Sequence, residues 1–148
     1  MSCSAIWGQQ EAKTKDENIF YVKSVPHDWL FPHMAGAVHH GGAGTTATSL
    51  RHALPTLVVP FGGDQPFWAE RVYAAGGGPK AIPRDKLTAE NLAEGLRALI
   101  SNPEYTRNAA RIGEALRNEH GCANAADLIE KAVWDWENGN PAQDGMNI

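Results

Sequence analysis

The sequence predicts an α/β domain with a parallel sheet, on three observations. Short apolar runs alternate with helix-length segments in the order strand, helix, strand, helix, strand, and helices follow. Thr56-Leu57-Val58-Val59 is a continuous apolar run closed by Pro60, the kind of strand that is buried on both faces of a parallel sheet. Between an earlier apolar run and its helix stands His39-His40-Gly41-Gly42-Ala43-Gly44-Thr45-Thr46, a glycine-dense strand-to-helix turn.

Taken in order, residues 1–18 are polar and without period, and read as a loop or frayed entry. Ile19-Phe20-Tyr21-Val22 is β-branched and aromatic, hence a strand. Pro26 and Pro32 bracket His27 to Phe31, which has room for one or two helical turns. Ala35 to His39 is a second strand and Thr45 to Leu54 a helix. After Thr56–Val59 the loop Phe61-Gly62-Gly63-Asp64 leads into a helix from Gln65 to Ala75, which Gly76-Gly77-Gly78-Pro79 stops. Ala81-Ile82 is a candidate fourth strand. Thr88 can cap a helix whose Leu92, Leu96, Leu99 and Ile100 share a face. Asn102-Pro103 pairs a cap residue with proline at the first helical position and opens a helix striped by Tyr105, Ala109, Ile112 and Leu116. A last helix carries Ala125, Leu128, Ile129, Ala132, Val133 and Trp136 at helical spacing. The chain thus divides into an N-terminal segment 1–18, a domain 19–136 and a polar tail 137–148.

With 148 residues, 43% hydrophobic and 20% charged, the chain suits one packed domain. A net charge of −4 argues against a general phosphate-backbone binder, which would normally carry a basic face, so nucleic acid is not an expected partner. Cys3 and Cys122 form no metal or redox spacing and read as incidental or buried thiols in a reducing compartment. No apolar run approaches the roughly 20 residues of a membrane span. The opening residues lack a secretory pattern, so the expected location is cytoplasmic.

Right-handed crossovers place the loops after parallel strands on one edge of a sheet, where open α/β sheets bind ligands. The loops His39–Thr45 and Phe61–Gln65 both follow strands and should meet. In the first, Gly41, Gly42 and Gly44 let backbone N–H groups approach a ligand, and a helix starting near Thr45 aims its free N–H groups and dipole into the same space. Thr45 and Thr46 add hydroxyls and His40 an imidazole, which together suit a diphosphate. No Lys-Ser or Lys-Thr follows the glycines, so this is not a Walker A loop. The plainer reading is a tight turn whose glycines serve packing alone. Strand alternation makes His39 a core or edge histidine. Asp64-Gln65 sets a carboxylate beside a carboxamide, acceptors and donors suited to the vicinal hydroxyls of a sugar. Its plainer reading is an N-cap for the helix at Gln65.

The ordered set Ser24-Val25-Pro26-His27-Asp28-Trp29-Leu30-Phe31, His39 to Thr46, and Val59-Pro60-Phe61-Gly62-Gly63-Asp64-Gln65 resembles the donor-binding signature of UDP-dependent glycosyltransferases with the GT-B fold. Its wording is similar to fungal sterol 3-beta-glucosyltransferases. The resemblance spans about Asn18 to Val133 and implies a Rossmann-like parallel sheet with flanking helices, the C-terminal half of such an enzyme. It implies that His40, Gly42, Gly44, Thr45 and Thr46 hold the diphosphate, that Asp64 and Gln65 hold the sugar, and that Ser24, Val25 and His27 lie along the uracil. Ser24 stands where plant-type members have tryptophan, and Thr48 where they have a ribose-binding glutamate. The implied donor substrate is UDP-glucose, with no cofactor and no metal. The implied acceptor is a sterol or similar lipid alcohol, with the parent enzyme peripheral to membranes. The catalytic base is expected on an N-terminal domain with no counterpart in these residues. The opening strand and helix of the C-terminal half also lack a match, so the chain reads as truncated at its N-terminus. Among His27, His33, His39, His52 and His120 the sequence shows no carboxylate-supported base. Bacterial antibiotic glycosyltransferases share the turn and are the alternative, as is a non-catalytic UDP-sugar-binding module.

Overall fold

The computed structural model describes Ser4–Trp7, Ile19–Val22 and residues 24–139. The chain runs β1 (Ser4–Trp7), β2 (Ile19–Val22), α1 (His27–Leu30), β3 (Ala37–His39), α2 (Ala43–Arg51), β4 (Thr56–Val58), α3 (Gln65–Ala74), α4 (Ala89–Ser101), α5 (Pro103–Asn118) and α6 (Gly121–Glu137), with 3-10 turns at Phe31–His33 and Arg84–Lys86.

The strands are parallel, as expected, but they form two separate two-stranded sheets, β1 with β2 and β3 with β4. The reading of residues 1–18 as loop is corrected at Ser4–Trp7, which pairs in register from Ser4 against Ile19 to Trp7 against Val22. With no period and polar neighbours, that strand is specified by its partner rather than by its own pattern. The rest of the 1–18 segment lies outside the described residues, as do 140–148. Ala81-Ile82 is not a strand, yet the Ile82 amide donates to the Val58 carbonyl at 3.0 Å, so the segment touches the sheet without laddering.

β3 and β4 pair from Ala37 against Thr56 to His39 against Val58. β4 is fully buried, as its unbroken apolar run requires. The core gathers Leu50 of α2, Val58, Ala69 and Val72 of α3, and Ala109 of α5, with Ile112 and Leu116 packed against it. Each large side chain buried there contributes about 1.5–3 kcal/mol. Of the α5 stripe, Ala109 is buried and Tyr105, Ile112 and Leu116 half-buried.

Two caps follow the sequence closely. Thr88 Oγ1 accepts from the Asn91 amide at 3.2 Å while Asn91 Oδ1 accepts from the Thr88 amide at 2.9 Å, a capping box with asparagine in the return position. Asn102 Oδ1 accepts from the Glu104 amide at 3.0 Å, and Pro103 opens α5.

Two stripes behave otherwise. On α4 only Leu99 is buried; Leu96 and Ile100 are exposed. On α6 every residue is exposed except the half-buried Asp135, and Leu128 and Trp136 are 68% and 79% exposed. Helical spacing marks one face as apolar without saying what covers it, and among the described residues nothing covers α6. Cys122 on this helix is an exposed free thiol, contrary to a buried one, and Cys3 lies outside the described residues.

Candidate functional site

β3 hands directly into the glycine turn. Gly41 is buried with φ +91, a left-handed conformation, and a Cβ there would collide with Val58 Cγ1. Gly42 is the extended N-cap of α2, with φ −61 and ψ 144 and no side-chain cap. The helix begins at Ala43, two residues before the expected Thr45, because the Thr46 amide already donates to the Gly42 carbonyl at 2.9 Å. The amides of Ala43, Gly44 and Thr45 are therefore the first-turn donors without an intrahelical acceptor, and they stand at the positive end of the helix dipole.

The earlier start changes what each residue can offer. Gly44 lies in the first turn, and nothing stands within 4 Å of where its Cβ would be, so packing does not explain this glycine. Thr45 is half-buried, and its carbonyl accepts from Ser49 Oγ at 2.9 Å. Thr46 is only 3% exposed, and its Oγ1 is enclosed without a partner. The expectation that Thr46 presents a surface hydroxyl beside Thr45 is corrected: one turn of helix carries it inward. Thr48 donates through Oγ1 to the Gly44 carbonyl at 2.8 Å, a local back-bond.

The adjacent histidines differ in burial. His40 is exposed, and its Nε2 lies 2.6 Å from where a Gly42 Cβ would be, so the ring overhangs the bare N-cap. His39 is half-buried, and its Nδ1 accepts from the Gly41 amide at 3.0 Å. That bond assigns the proton of the neutral ring to Nε2, and Nε2 is buried with no partner among the described residues. Sequence alternation places His39 at an edge but cannot show that one ring nitrogen is spare. His39 Nε2 and Thr46 Oγ1 are the buried side-chain polar atoms left without a partner among the described residues, and both lie at the glycine turn.

Burial, followed by the nearby charges of His40 and His27, pulls the His39 pKa down from 6.5 to about 4. The unfolded chain thus takes up this proton near pH 6.5, whereas the folded chain does so only near 4. His39's contribution to stability is fully present above the unfolded value, falls as pH drops from 6.5 to 4, and is constant below that. The loss is at most about 3 kcal/mol. Urea midpoints measured between pH 7 and pH 4 should show this slope, and His39→Gln should flatten it; an equal slope in the variant would assign it to other groups.

The second loop meets the first. The Val59 amide donates to the His39 carbonyl at 2.9 Å, and a Cβ on Gly41 would stand 3.4 Å from the Gln65 carbonyl oxygen. Asp64 occupies the N-cap position of α3 but makes no side-chain cap bond. Its Oδ2 instead accepts from the Trp68 indole Nε1 at 2.8 Å, which corrects the plain capping reading. Gln65 Oε1 accepts from the amides of Phe61 at 2.7 Å and Gly62 at 3.3 Å. Those donors fix which end of the carboxamide is oxygen and leave the NH₂ end to donate elsewhere. The pair thus offers a carboxylate oxygen and an amide donor, complementary to neighbouring hydroxyls.

Ser24 is exposed and Val25 half-buried; Pro26 is the N-cap of α1. The His27 ring stacks on buried Phe31 at 4.6 Å, and its charge reaches His39. Phe31 in turn meets the His52 ring edge-on at 5.7 Å. His52 Nε2 lies 3.5 Å from Asp28 Oδ1, and its Nδ1 is 2.9 Å from the Thr48 carbonyl. This carboxylate-supported histidine was not visible in the sequence, because the partners lie on different elements. His52, at the C-cap of α2, thus links α1 to α2. Among the described residues no group of three or more His, Cys, Asp or Glu is placed to hold a metal ion. No described helix is long and apolar enough to cross a membrane.

Comparison with known proteins matches the same span. The family described as "Erythromycin biosynthesis protein CIII-like, C-terminal domain" covers residues 8–130. The chain belongs to this family. It is a glycosyltransferase C-terminal domain of the GT-B class. A sterol 3-beta-glucosyltransferase of Arabidopsis thaliana is 47% identical over 115 residues, 78% of this chain but 18% of that protein. The O-mycaminosyltylonolide 6-deoxyallosyltransferase of Streptomyces fradiae is 40% identical over 74% of this chain and 26% of its own length. Among solved structures, the glycosyltransferase VinC in complex with dTDP is 33% identical with a TM-score of 0.66, over 72% of this chain and 27% of that one. This glycosyltransferase domain therefore spans about a fifth to a quarter of the length of these relatives.

Proposed function

We propose that the domain binds a UDP-sugar, UDP-glucose above others, as the donor half of an enzyme that transfers a hexose to a sterol or similar lipid alcohol. One observation carries this reading: the free amides of α2, the bare Gly44 and the spare His39 Nε2 stand at the turn that packs against Gln65. A diphosphate on the turn would take hydrogen bonds from the amides of Ala43, Gly44 and Thr45 and from the histidines. A hexose beyond it would reach Asp64 and Gln65, and a uracil would lie along Ser24, Val25 and His27. In the transfer step the acceptor oxygen bonds to the anomeric carbon as the bond from that carbon to the diphosphate oxygen breaks. The acceptor proton passes to a base outside these residues. The helix terminus and His39 stabilise the charge growing on the departing diphosphate, and fixed donors of this kind are worth about 3–4 kcal/mol each in comparable sites.

The sterol acceptor is supported by the identity to the Arabidopsis enzyme. The Streptomyces relative and the dTDP bound to VinC support a second reading, a dTDP-sugar donor and a polyketide acceptor. Calorimetric titration with UDP, dTDP and UDP-glucose separates them: UDP should bind more tightly than dTDP, and equal or reversed affinities would favour the second. Asp64→Ala should weaken UDP-glucose about tenfold while leaving UDP nearly unchanged, because the carboxylate is assigned to the sugar alone. Equal losses for both ligands would show that the substitution disturbs α3.

A further inference from the structure

Asp64 is exposed, has no capping bond, and sits on a glycine loop where Gly62 and Gly63 have nothing within 4 Å of a Cβ position. A carboxylate so placed would sample many rotamers unless something held it. The structure supplies one hold. Trp68 lies one helical turn on, its amide donates to the Asp64 carbonyl at 3.2 Å, and its indole Nε1 donates to Asp64 Oδ2 at 2.8 Å. The indole is itself fixed: it is half-buried, and the Phe67 ring stands edge-on at 5.1 Å. Tryptophan is a donor only, so Asp64 Oδ2 accepts, and one of the two carboxyl oxygens is engaged. The other oxygen is left directed by the indole. The neighbouring carboxamide is oriented in the same manner by the Phe61 and Gly62 amides.

We propose that Trp68 is a positioning residue for sugar recognition: its indole N–H sets the Asp64 carboxylate so that Oδ1 meets a donor-sugar hydroxyl beside the Gln65 NH₂. This rests on the assignment of Asp64 and Gln65 to the sugar. Holding a polar group in place before the ligand arrives removes an ordering cost from binding. The ordering concerns the sugar alone, so UDP should not sense it.

The test uses the full 148-residue chain and four proteins: parent, Trp68→Phe, Asp64→Ala and the double variant, each titrated with UDP and with UDP-glucose. Phenylalanine keeps an aromatic ring and removes the N–H. Trp68→Phe should weaken UDP-glucose about threefold to tenfold with UDP unchanged, and should have no further effect once Asp64 is alanine. If Trp68→Phe weakens both ligands equally, the indole supports the helix and the inference is overturned. If its effect persists in the Asp64→Ala background, Trp68 acts on the sugar by itself, which overturns positioning as well. If Asp64→Ala weakens UDP-glucose selectively and Trp68→Phe does nothing, positioning falls while the site assignment stands. If Asp64→Ala leaves the ratio of the two affinities unchanged, the site assignment falls and takes the inference with it.

Discussion

Gly41→Ala is expected to destabilise the domain by about 2–5 kcal/mol, enough to unfold a marginal protein, while Gly44→Ala leaves it equally stable or up to about 1 kcal/mol more so. The two glycines sit three residues apart in one turn but answer to different forces. Gly41 adopts φ +91, which an alanine tolerates poorly, and the added methyl would run into Val58 Cγ1 on a buried strand. Strain and overpacking therefore add. Gly44 is in the first turn of α2 with open space at its Cβ position, so alanine there meets only a better helix propensity. If that space exists for a diphosphate, Gly44→Ala should nonetheless weaken UDP about tenfold or more, since the methyl occupies the approach to the free amides. Urea denaturation and UDP titration of both variants decide the matter. A Gly44→Ala protein that is as stable as the parent and binds UDP as well would return this glycine to the reading in which the turn serves packing alone.

That contrast shows how far the sequence could be read. The strand-to-helix turn, the buried run at Thr56, and the caps at Thr88 and Asn102 were legible because each is a local pattern with one physical solution. So was the meeting of the two loops, since parallel neighbours send their following loops to one edge, and Gly41 does stand against Gln65. The first residue of α2 was not legible. Threonine is the stronger capping signal, yet Gly42 serves as N-cap and the helix starts two residues earlier, which takes Thr46 into the interior. His39 was placed correctly on the strand, but its spare Nε2 depends on the Gly41 amide turning back to Nδ1. The pairs His52 with Asp28 and Trp68 with Asp64 were missed for different reasons. The first joins two elements far apart in sequence; the second sits at the i, i+4 spacing, where Asp64 also stands at a capping position and the sequence does not say which bond its carboxyl makes. The α6 stripe marks the remaining gap: periodicity names an apolar face, and the cover for it is not among the described residues.

The 148-residue chain by itself should transfer no glucose to an acceptor, even when saturated with UDP-glucose. Transfer needs an acceptor oxygen held against the anomeric carbon and a base in reach of its proton. Orientation of this kind corresponds to effective concentrations of about 10⁵–10⁸ M, or about 7–11 kcal/mol of barrier. The site described here is proposed to face the donor. On the proposed assignment its amides serve the diphosphate, and Asp64 and Gln65 serve the sugar. Of the two histidines at the turn, His39 is not placed to supply the base. His39 has Nδ1 engaged by the Gly41 amide, and its free nitrogen carries the proton, so the ring can donate to a leaving phosphate but cannot accept from an acceptor hydroxyl. His40 overhangs the N-cap of α2. The chain should be incubated with UDP-glucose and a panel of sterols, first alone and then with the N-terminal half of a sterol glucosyltransferase added in trans, and the products resolved by mass. Sterol glucoside appearing only with the added half is the expected result. Glucoside formed by the chain alone would mean that a base and an acceptor surface exist within these residues, and would overturn the assignment of this domain to the donor side only.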